Sequence, residues 1–267
     1  MSENEPSSSA TRASHVGLVV VGFFVLWQVA VMVAKPPEYL LPAPSAIFSE
    51  MASAPLWYVS NAMRTVGATL LGFMAALVVG CLASVGIVYS RLLENTLYTL
   101  LIALNSVPKV ALAPLFIIWM GTGLASKVAI SFLIAFFVII VDTVLGLRSV
   151  DPDAVDLFRS MRGGRIQTLL WLRAPNALPH LFSGMKVAMS LALVGAIAGE
   201  FVASQAGLGY VILAAQGNFE TTRVFAAIVL LGMLGTILFL IVDFVERLAC
   251  PWHVSHRERH RGQQYRQ

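Results

Sequence analysis

Six long apolar stretches limit what this chain can fold into. They lie at residues 16–34, 66–89, 97–120, 128–147, 185–203 and 224–245. The hydrocarbon core of a bilayer is about 30 Å thick, and a helix needs about 20 apolar residues to cross it. Only 12% of the residues are charged, against about 25% in an average soluble domain, so lipid has to solvate much of the surface. The sequence therefore predicts an all-α, polytopic membrane bundle of about six transmembrane helices.

The distribution of basic residues predicts which way the chain runs through the membrane. With both termini in the cytoplasm, most of the 18 Lys and Arg residues fall in cytoplasmic segments. The basic residues left outside are Lys35, Arg64, Lys127 and Arg223. Cytoplasmic loops of membrane proteins carry such an excess of basic residues. We therefore predict a cytoplasmic tail at 1–15, a membrane domain at 16–250 and a cytoplasmic tail at 251–267. The outer segments are not distinctively basic, and they give no direct sign of an anionic ligand.

The outer segment at residues 35–60 is too polar to span a membrane and contains five prolines. Ser45 is placed where it can cap a short helix, since serine side chains accept hydrogen bonds from the first helical turn. We predict an irregular outer loop with a short helix at 45–51.

The longest polar segment between spans, residues 148–181 (the 148–181 loop), has the pattern of two short helices. Asp151 can accept a hydrogen bond from the first helical turn, and Pro152 fits that turn because the N–H it lacks has no partner there. The prediction, in chain order, is a helix at 153–161, a turn at Gly163 and Gly164, a helix at 165–172, and a break at Pro175 and Pro179.

The 148–181 loop resembles the EAA loop of binding-protein-dependent ABC transporter permeases in residues 156–165 (DLFRSMRGGR) and 174–179 (APNALP). Asp156 matches the acidic residue of that motif, whereas Leu157 and Phe158 replace its two small residues. Arg162 stands where the glycine is usual, with Gly163 directly after it. In that family the first helix of the loop is the coupling helix, which docks in a cleft of the ATPase subunit. The resemblance assigns this contact to Asp153, Asp156, Leu157, Phe158, Arg159, Ser160, Gly163 and Arg165.

Phe158 is the residue of this set that best suits an interface anchor, because large aromatic side chains fill apolar pockets on partner proteins.

Other stretches resemble the nitrate, sulfonate and taurine branch of these permeases, in the expected order along the chain. They are 108–115 (PKVALAPL), 119–121 (WMG), 199–201 (GEF), 204–210 (SQAGLGY), 246–247 (ER) and 251–253 (PWH). The GEF triplet is more similar to permeases for pyrimidine-type vitamin precursors or riboflavin. The resemblance implies a type I ABC importer permease, located in the bacterial inner membrane.

The same resemblance implies partner proteins and no catalytic residue in the chain itself. A P-loop needs a Gly-Lys-Ser/Thr run, and the four lysines here are followed by Pro36, Val110, Val128 and Val187. The ABC ATPase subunit is therefore expected to be a separate polypeptide. A periplasmic or extracellular solute-binding protein, a second copy of the permease and membrane lipid are the other expected partners. We expect no nucleic acid, no cofactor and no metal, since the five histidines all lie in polar segments or tails.

Two ionisable residues within predicted spans are candidates for the solute pathway. Lys109 lies near the middle of the span at 97–120, between Pro108 and Pro114, and Glu200 lies in the outer third of the fifth span. A charge inside a bilayer costs about 2–4 kcal/mol or more, and it usually faces a partner or a cavity. We hypothesise that Lys109 and Glu200 face the interior near the translocation route and pair with each other. The alternative is that each holds helices together without touching solute.

Three other classes of protein compete with an importer permease. An ion-gradient-driven secondary transporter is the main alternative, but the sequence has no evident internal repeat, and such a carrier does not need the 148–181 loop. An intramembrane enzyme needs a Ser–His pair, paired aspartates or a His-Glu-x-x-His zinc motif, and no histidine lies in a predicted span. A membrane scaffold without transport activity stays open, although it leaves the shared motifs unexplained.

Overall fold

Long apolar helices dominate the structure, which is a computed structural model that describes residues 9–98 and 107–251. In these ranges it contains helices and turns and no strand. The helices there that are long and apolar enough to cross a bilayer are Gly17–Ala34, Pro55–Tyr89, Leu124–Arg148, Arg165–Ala203 and Thr221–Ala249. The predicted all-α membrane bundle is confirmed, with five spans in the described residues.

Eleven α-helices lie in the described ranges, and two of them are only three and four residues long. In chain order they are α1 Ser9–Ala34, α2 Pro44–Ser53, α3 Pro55–Tyr89, α4 Arg91–Leu93, α5 Ala113–Met120, α6 Leu124–Arg148, α7 Pro152–Ser160, α8 Arg165–Thr168, α9 Ala174–Ala203, α10 Leu208–Gly217 and α11 Thr221–Ala249. Two π-helical segments, Glu94–Tyr98 and Leu169–Arg173, and one 3₁₀ segment, Lys109–Leu112, complete the list.

The predicted span at 97–120 is the one that the structure changes. Residues 99–106 of it lie outside the described ranges. The rest is a 3₁₀ turn at Lys109–Leu112 followed by α5. Pro108 and Pro114 explain the division, because proline has no N–H to donate and disfavours helical geometry in the residue before it. Lys109–Met120 is a short apolar helix, not the second half of a continuous span.

The chain divides into two compact units, of which the first is the chain up to Val59 together with Val211–Val229. In this unit the ring of Phe24 lies 6.0 Å from that of Phe48. The N–H of Ser45 donates to Oε1 of Gln28 at 3.1 Å. The expected Ser45 cap is wrong, because α2 begins at Pro44, whose fixed φ suits a first helical position.

The second unit contains Ser60–Tyr210 and the chain from Leu230. Its centre is the contact between α6 and α9, where small residues let the two backbones approach closely. A Cβ added to Gly195 would lie 2.8 Å from Cα of Ser131, and the Ser131 hydroxyl donates to the carbonyl of Ala192 at 2.9 Å. The fit between α6 and α9 therefore depends on residues with little or no side chain.

Helix α8, the π-helical segment Leu169–Arg173 and α9 follow one another without a break, so the chain is helical from Arg165 to Ala203. At 1.5 Å per residue this helix is about 58 Å long. The predicted break at Pro175 and Pro179 is wrong. Pro175 lies in the first turn of α9, and Pro179 lies inside α9, where its ring removes a single hydrogen bond that the rest of the helix tolerates.

A cluster of charges connects α9 to α11 within the second unit. Nζ of Lys186 lies 2.5 Å from Oδ1 of Asp243 and also contacts the Glu246 carboxylate. Arg247 contacts the second oxygen of Asp243. Lys186 is mostly buried, and a buried ammonium needs such partners, because an unpaired charge inside a bilayer is costly. The cluster fixes the end of α11 against α9.

Candidate coupling and transport sites

The first helix of the 148–181 loop forms as the sequence predicts. Oδ1 of Asp151 accepts a hydrogen bond from the N–H of Asp153 at 3.0 Å, and Pro152 lies at the first helical position. The hydroxyl of Tyr89, at the end of α3, donates to the carbonyl of Arg165 at 3.2 Å. These bonds give the loop a defined helix and a fixed attachment to a spanning helix.

The turn after α7 differs in detail from the prediction. Arg162 adopts the left-handed conformation, with φ 63°, although glycine usually occupies such a position. The N–H of Gly163 donates to the carbonyl of Phe158 at 3.0 Å. A Cβ on Gly163 would lie 2.7 Å from that carbonyl oxygen and would overlap the Phe158 ring. Glycine is required at 163 for space, because the ring of Phe158 packs against it.

The predicted ATPase-contact residues have different surroundings. Phe158 is half-buried against the turn, whereas Leu157 is 64% exposed and Met161 is 74% exposed. Asp156 and Arg159 form an exposed ion pair at 3.3 Å, which contributes little to stability. The Ser160 hydroxyl donates to the carbonyl of Leu157 at 2.7 Å. Leu157 and Met161 are therefore more exposed than Phe158, and the anchor role of Phe158 stays a prediction.

Lys109 lies at the edge of an open cavity in the second unit. Its Nζ is 4.7 Å from the centre of the Phe137 ring, a cation–π distance. The cavity has a volume of about 360 Å³, and Pro108, Val138 and Val194 are among the residues that line it. A mostly apolar cavity with one cation at its edge is a suitable place for a small solute. The pathway role of Lys109 stays a prediction.

Glu200 is completely buried, and its hydrogen-bond donors belong to two segments of the second unit, α3 and the start of α10. Its oxygens accept hydrogen bonds from the hydroxyl of Thr65 in α3, at 2.9 Å, and from the N–H of Gly209, at 2.7 Å. The same hydroxyl of Thr65 accepts from the N–H of Leu208 at 2.9 Å. The N–H of Gly207 donates to Oδ1 of Asn61 at 2.9 Å. Glu200 therefore attaches the segment 204–209, which is the turn at 204–207 and the first two residues of α10, to α3 and α9.

The two predicted pathway residues are not brought together. The cation beside Glu200 is Lys127, at the start of α6, whereas Lys109 lies over Phe137 of the same helix. Residues 127 and 137 are ten positions apart, or about 15 Å along α6. The expected Lys109–Glu200 pair is wrong, and the burial of Glu200 favours the alternative in which it holds helices together.

Sequence reasoning missed the side chains that surround Glu200, although a signal for them exists. Asn61, Thr65 and Thr69 follow one another at intervals of four residues, so they lie on one face of α3. All three are buried, and polar side chains buried in an apolar helix need hydrogen-bond partners. In residues 9–98 and 107–251, no group of three or more His, Cys, Asp and Glu side chains is arranged to hold a metal ion.

The fold and the 148–181 loop together define a membrane-spanning permease, and comparison with known proteins gives the family. Residues 68–249 match the family described as the binding-protein-dependent transport system inner membrane component. The chain belongs to that family of ABC transporter permeases.

Named relatives support this assignment. The riboflavin transport system permease protein RibX of Chloroflexus aurantiacus is 35% identical, over 86% of this chain and 87% of its own length. The formylaminopyrimidine transport permease protein ThiX of Halalkalibacterium halodurans is 32% identical, over 85% of this chain and 91% of its own. Other relatives are named for aliphatic sulfonates, taurine and nitrate. The expected branch of the family is therefore confirmed.

A solved structure shows the same fold. It is that of the MetNI methionine ABC transporter in inward-facing conformations, with a TM-score of 0.66. The match has 18% sequence identity and covers 74% of this chain and 98% of that chain. The type I importer permease fold is thus confirmed.

The packing around Glu200 predicts that Gly207→Ala destabilises the protein. Gly207 has φ 111°, which side chains rarely adopt, and a Cβ there would lie 2.5 Å from Oε2 of Glu200. The strain costs about 2 kcal/mol or more, so we expect the melting temperature in detergent to fall by about 4–8 °C. Gly232→Ala is the matched control, because a Cβ there meets nothing within 4 Å. Equal melting temperatures for the two variants would contradict the described packing.

Neighbouring glycines in the turn after α7 allow a second test. A Cβ on Gly163 overlaps Phe158, whereas a Cβ on Gly164 has only Oε1 of Gln167 nearby, at 3.6 Å. We expect trypsin to cut the purified Gly163→Ala protein after Arg159 or Arg162 several times faster than the wild type, since the turn has to open. Gly164→Ala should be cut at the wild-type rate. Mass spectrometry of the fragments measures both rates, and identical rates for all three proteins would refute the role assigned to Gly163.

Proposed function

We propose that this chain is the membrane-spanning subunit of an ATP-driven importer in the bacterial inner membrane, with both termini in the cytoplasm. A separate ABC ATPase subunit would supply the energy. A solute-binding protein would deliver a small solute to the outer face, and two copies of the permease would enclose the pathway. The observation that carries the proposal is the 148–181 loop: a capped helix with exposed apolar residues, then a turn, then a helix that runs without a break into a spanning helix.

Leu157 and Met161 are the residues best placed to anchor the ATPase. Both are strongly exposed on or just after α7, within a loop whose backbone is held by its own hydrogen bonds. Exposed apolar residues on a rigid support are typical of interface anchors, since no ordering cost is added on binding. Phe158 contributes indirectly, because its ring supports the turn at Gly163.

The helix from Arg165 to Ala203 gives the importer a way to use this contact. Movement of the 148–181 loop with the ATPase would displace the start of the helix, and the far end carries Glu200 with the segment 204–209. ATP binding would close the ATPase subunits and open the pathway outward, and hydrolysis would restore the inward-facing state. An ion-driven carrier would have no use for this connection, and no feature of residues 9–98 and 107–251 favours one.

The cavity beside Lys109 is the proposed solute pathway. It lies beside the irregular segment at Pro108 and the 3₁₀ turn Lys109–Leu112. Irregular backbone at membrane depth is tolerated only where it is buried in protein or lines a water-filled cavity. The names of the relatives divide the solutes into two classes, heteroaromatic (riboflavin and formylaminopyrimidine) and anionic (sulfonates and nitrate). We propose a small solute from one of these classes.

The importer proposal predicts that Leu157→Asp releases the ATPase. A charge at an apolar anchor costs at least about 1.4 kcal/mol, which corresponds to about tenfold weaker binding. The measurement is quantitative mass spectrometry of proteins that co-purify with the tagged permease in mild detergent. We expect a P-loop ATPase with the wild type and about a tenth as much with Leu157→Asp.

Leu92→Asp is the matched control, because Leu92 is also a strongly exposed leucine and lies outside the 148–181 loop. It should leave the recovery of the ATPase unchanged. If no ATPase co-purifies with the wild type, under conditions that keep a known importer intact, the importer proposal is wrong. If Leu157→Asp and Leu92→Asp recover the same amount, the ATPase docks elsewhere.

The pathway proposal predicts that Lys109→Met abolishes uptake without affecting assembly. The substitution keeps the length of the side chain and removes its charge, so the ATPase should still co-purify in the wild-type amount. Uptake is measured in cells with the radiolabelled solute of the co-purifying binding protein. Lys35→Met removes an exposed lysine from another part of the chain and should leave uptake unchanged. Normal uptake by a well-expressed Lys109→Met protein would remove Lys109 from the pathway.

A further inference from the structure

A second cavity, with a volume of about 440 Å³, opens beside the start of α6 in the second unit. It is bordered by α3, by the first turn of α6 and by the turn at 204–206, and its charged residues are Arg64 and Lys127. Among the described residues, no carboxylate lines it. The two cations are 63 positions apart in the sequence, which explains why the outer segments gave no sign of an anionic ligand.

Both cations have hydrogen-bond donors left over. Arg64 is exposed, and its side chain makes no hydrogen bond or ion pair with any residue in 9–98 or 107–251. The ammonium of Lys127 donates to Oγ of Ser204 at 2.5 Å and, more weakly, to the carbonyl of Ala206 at 3.4 Å. An ammonium has three N–H donors, so one is unused. Ser204 holds Lys127 in place, which prepares the ammonium for a ligand before the ligand arrives.

The local charges leave the mouth of this cavity positive. Arg64 and Lys127 repel each other, and the nearby negative charge that offsets Lys127 is Glu200. That carboxylate is completely buried, and its oxygens already accept from Thr65 and Gly209. The negative charge therefore lies beneath Lys127, while the charge of Arg64 faces the cavity without an offset. The first backbone N–H groups of α6 add a smaller positive potential, because the N-cap residue, Gly123, has no side chain to accept their hydrogen bonds.

We propose that this cavity binds the oxyanion of a small anionic solute, a carboxylate or sulfonate, on its way into the transporter. Arg64 would bind two oxygens at once with its planar fork of donors, and Lys127 would contribute its third N–H. The inference rests on the proposed function, since it takes this end of α6 to face outward. It extends that function by selecting the anionic class of solute over the heteroaromatic one.

The volume favours a free solute over an acidic side chain of a partner protein. Cavities of this size are typical of small-molecule sites, and Lys127 is recessed, with its ammonium bonded to the turn at 204–206. Of the two cations, only Arg64 is exposed enough to contact a partner protein directly.

The test is a titration of the purified, full-length chain with methanesulfonate at constant ionic strength, read as a rise in melting temperature. Dimethyl sulfone, which has nearly the same shape and no charge, is the matched ligand. We expect methanesulfonate to stabilise the wild type and dimethyl sulfone to have no effect. Arg64→Gln should bind methanesulfonate at least about tenfold more weakly, as loss of one charged, two-point contact implies. Arg64→Lys should retain part of the affinity, and Lys35→Gln should retain all of it.

Three results would overturn the proposal. The first is the same response to methanesulfonate and dimethyl sulfone, and the second is undiminished binding by Arg64→Gln. The third is that the wild type does not bind the anion, whereas Arg64→Gln lowers the ATP hydrolysis that the solute-binding protein stimulates. That result would assign Arg64 to a contact with the solute-binding protein. Lys127→Arg, which keeps the charge, guards against a folding defect and should still bind the anion. Titration of the isolated chain does not depend on the ATPase, so it separates failure of this inference from failure of the importer proposal.

Discussion

The constraint that governs this structure is that a backbone amide in lipid must find its partner within the protein. Regular helices meet it by themselves, and most of the described chain is regular helix. The segment 204–209 cannot, because its turn interrupts the helical ladder after α9 and the first N–H groups of α10 have no carbonyl partner within that helix. Its N–H groups donate instead to Asn61, Thr65 and Glu200, which lie on two helices far apart in sequence. The buried carboxylate and the polar face of α3 thus make an irregular segment possible at that position.

Contacts between the spanning helices follow from the same environment. Lipid tails are as apolar as the side chains they touch, so the hydrophobic effect contributes little to the association of α6 with α9. Close approach of the two backbones favours the contact instead. Gly195 leaves room for Ser131, whose hydroxyl donates to a backbone carbonyl of α9. Gly146 lies so near α9 that a Cβ on it would be 2.9 Å from Cα of Ala177. The charges of Lys186 and Asp243 then connect α9 to α11. Small residues set the distances, and a few polar contacts set the register.

The sequence predicted those features that depend on neighbouring residues. Apolar length located five spans, and Asp151 with Pro152 located the start of α7, because both signals are local. Pro175 and Pro179 misled the analysis, since a long helix absorbs the loss of one hydrogen bond that would end a short one. The bond of Thr65 to Glu200 and the cavity shared by Arg64 and Lys127 required the fold, because they join residues 135 and 63 positions apart. The greater exposure of Leu157 than of Phe158 was not predictable either. Phe158 is covered by the turn at Arg162 and Gly163, and no single residue type determines the geometry of that turn.

The uninterrupted helix from Arg165 to Ala203 has a consequence for how this transporter can change over time. Each residue of an α-helix turns the chain by about 100°, so the number of residues between the 148–181 loop and Glu200 fixes the angle between the faces they occupy. Inserting or deleting one residue in this helix before Glu200 would rotate Glu200 away from α3. A π-helical turn holds one more residue than an α-helical turn, and Leu169–Arg173 is such a turn. It therefore sets the rotational phase of everything that follows, and only paired changes in length could preserve that phase.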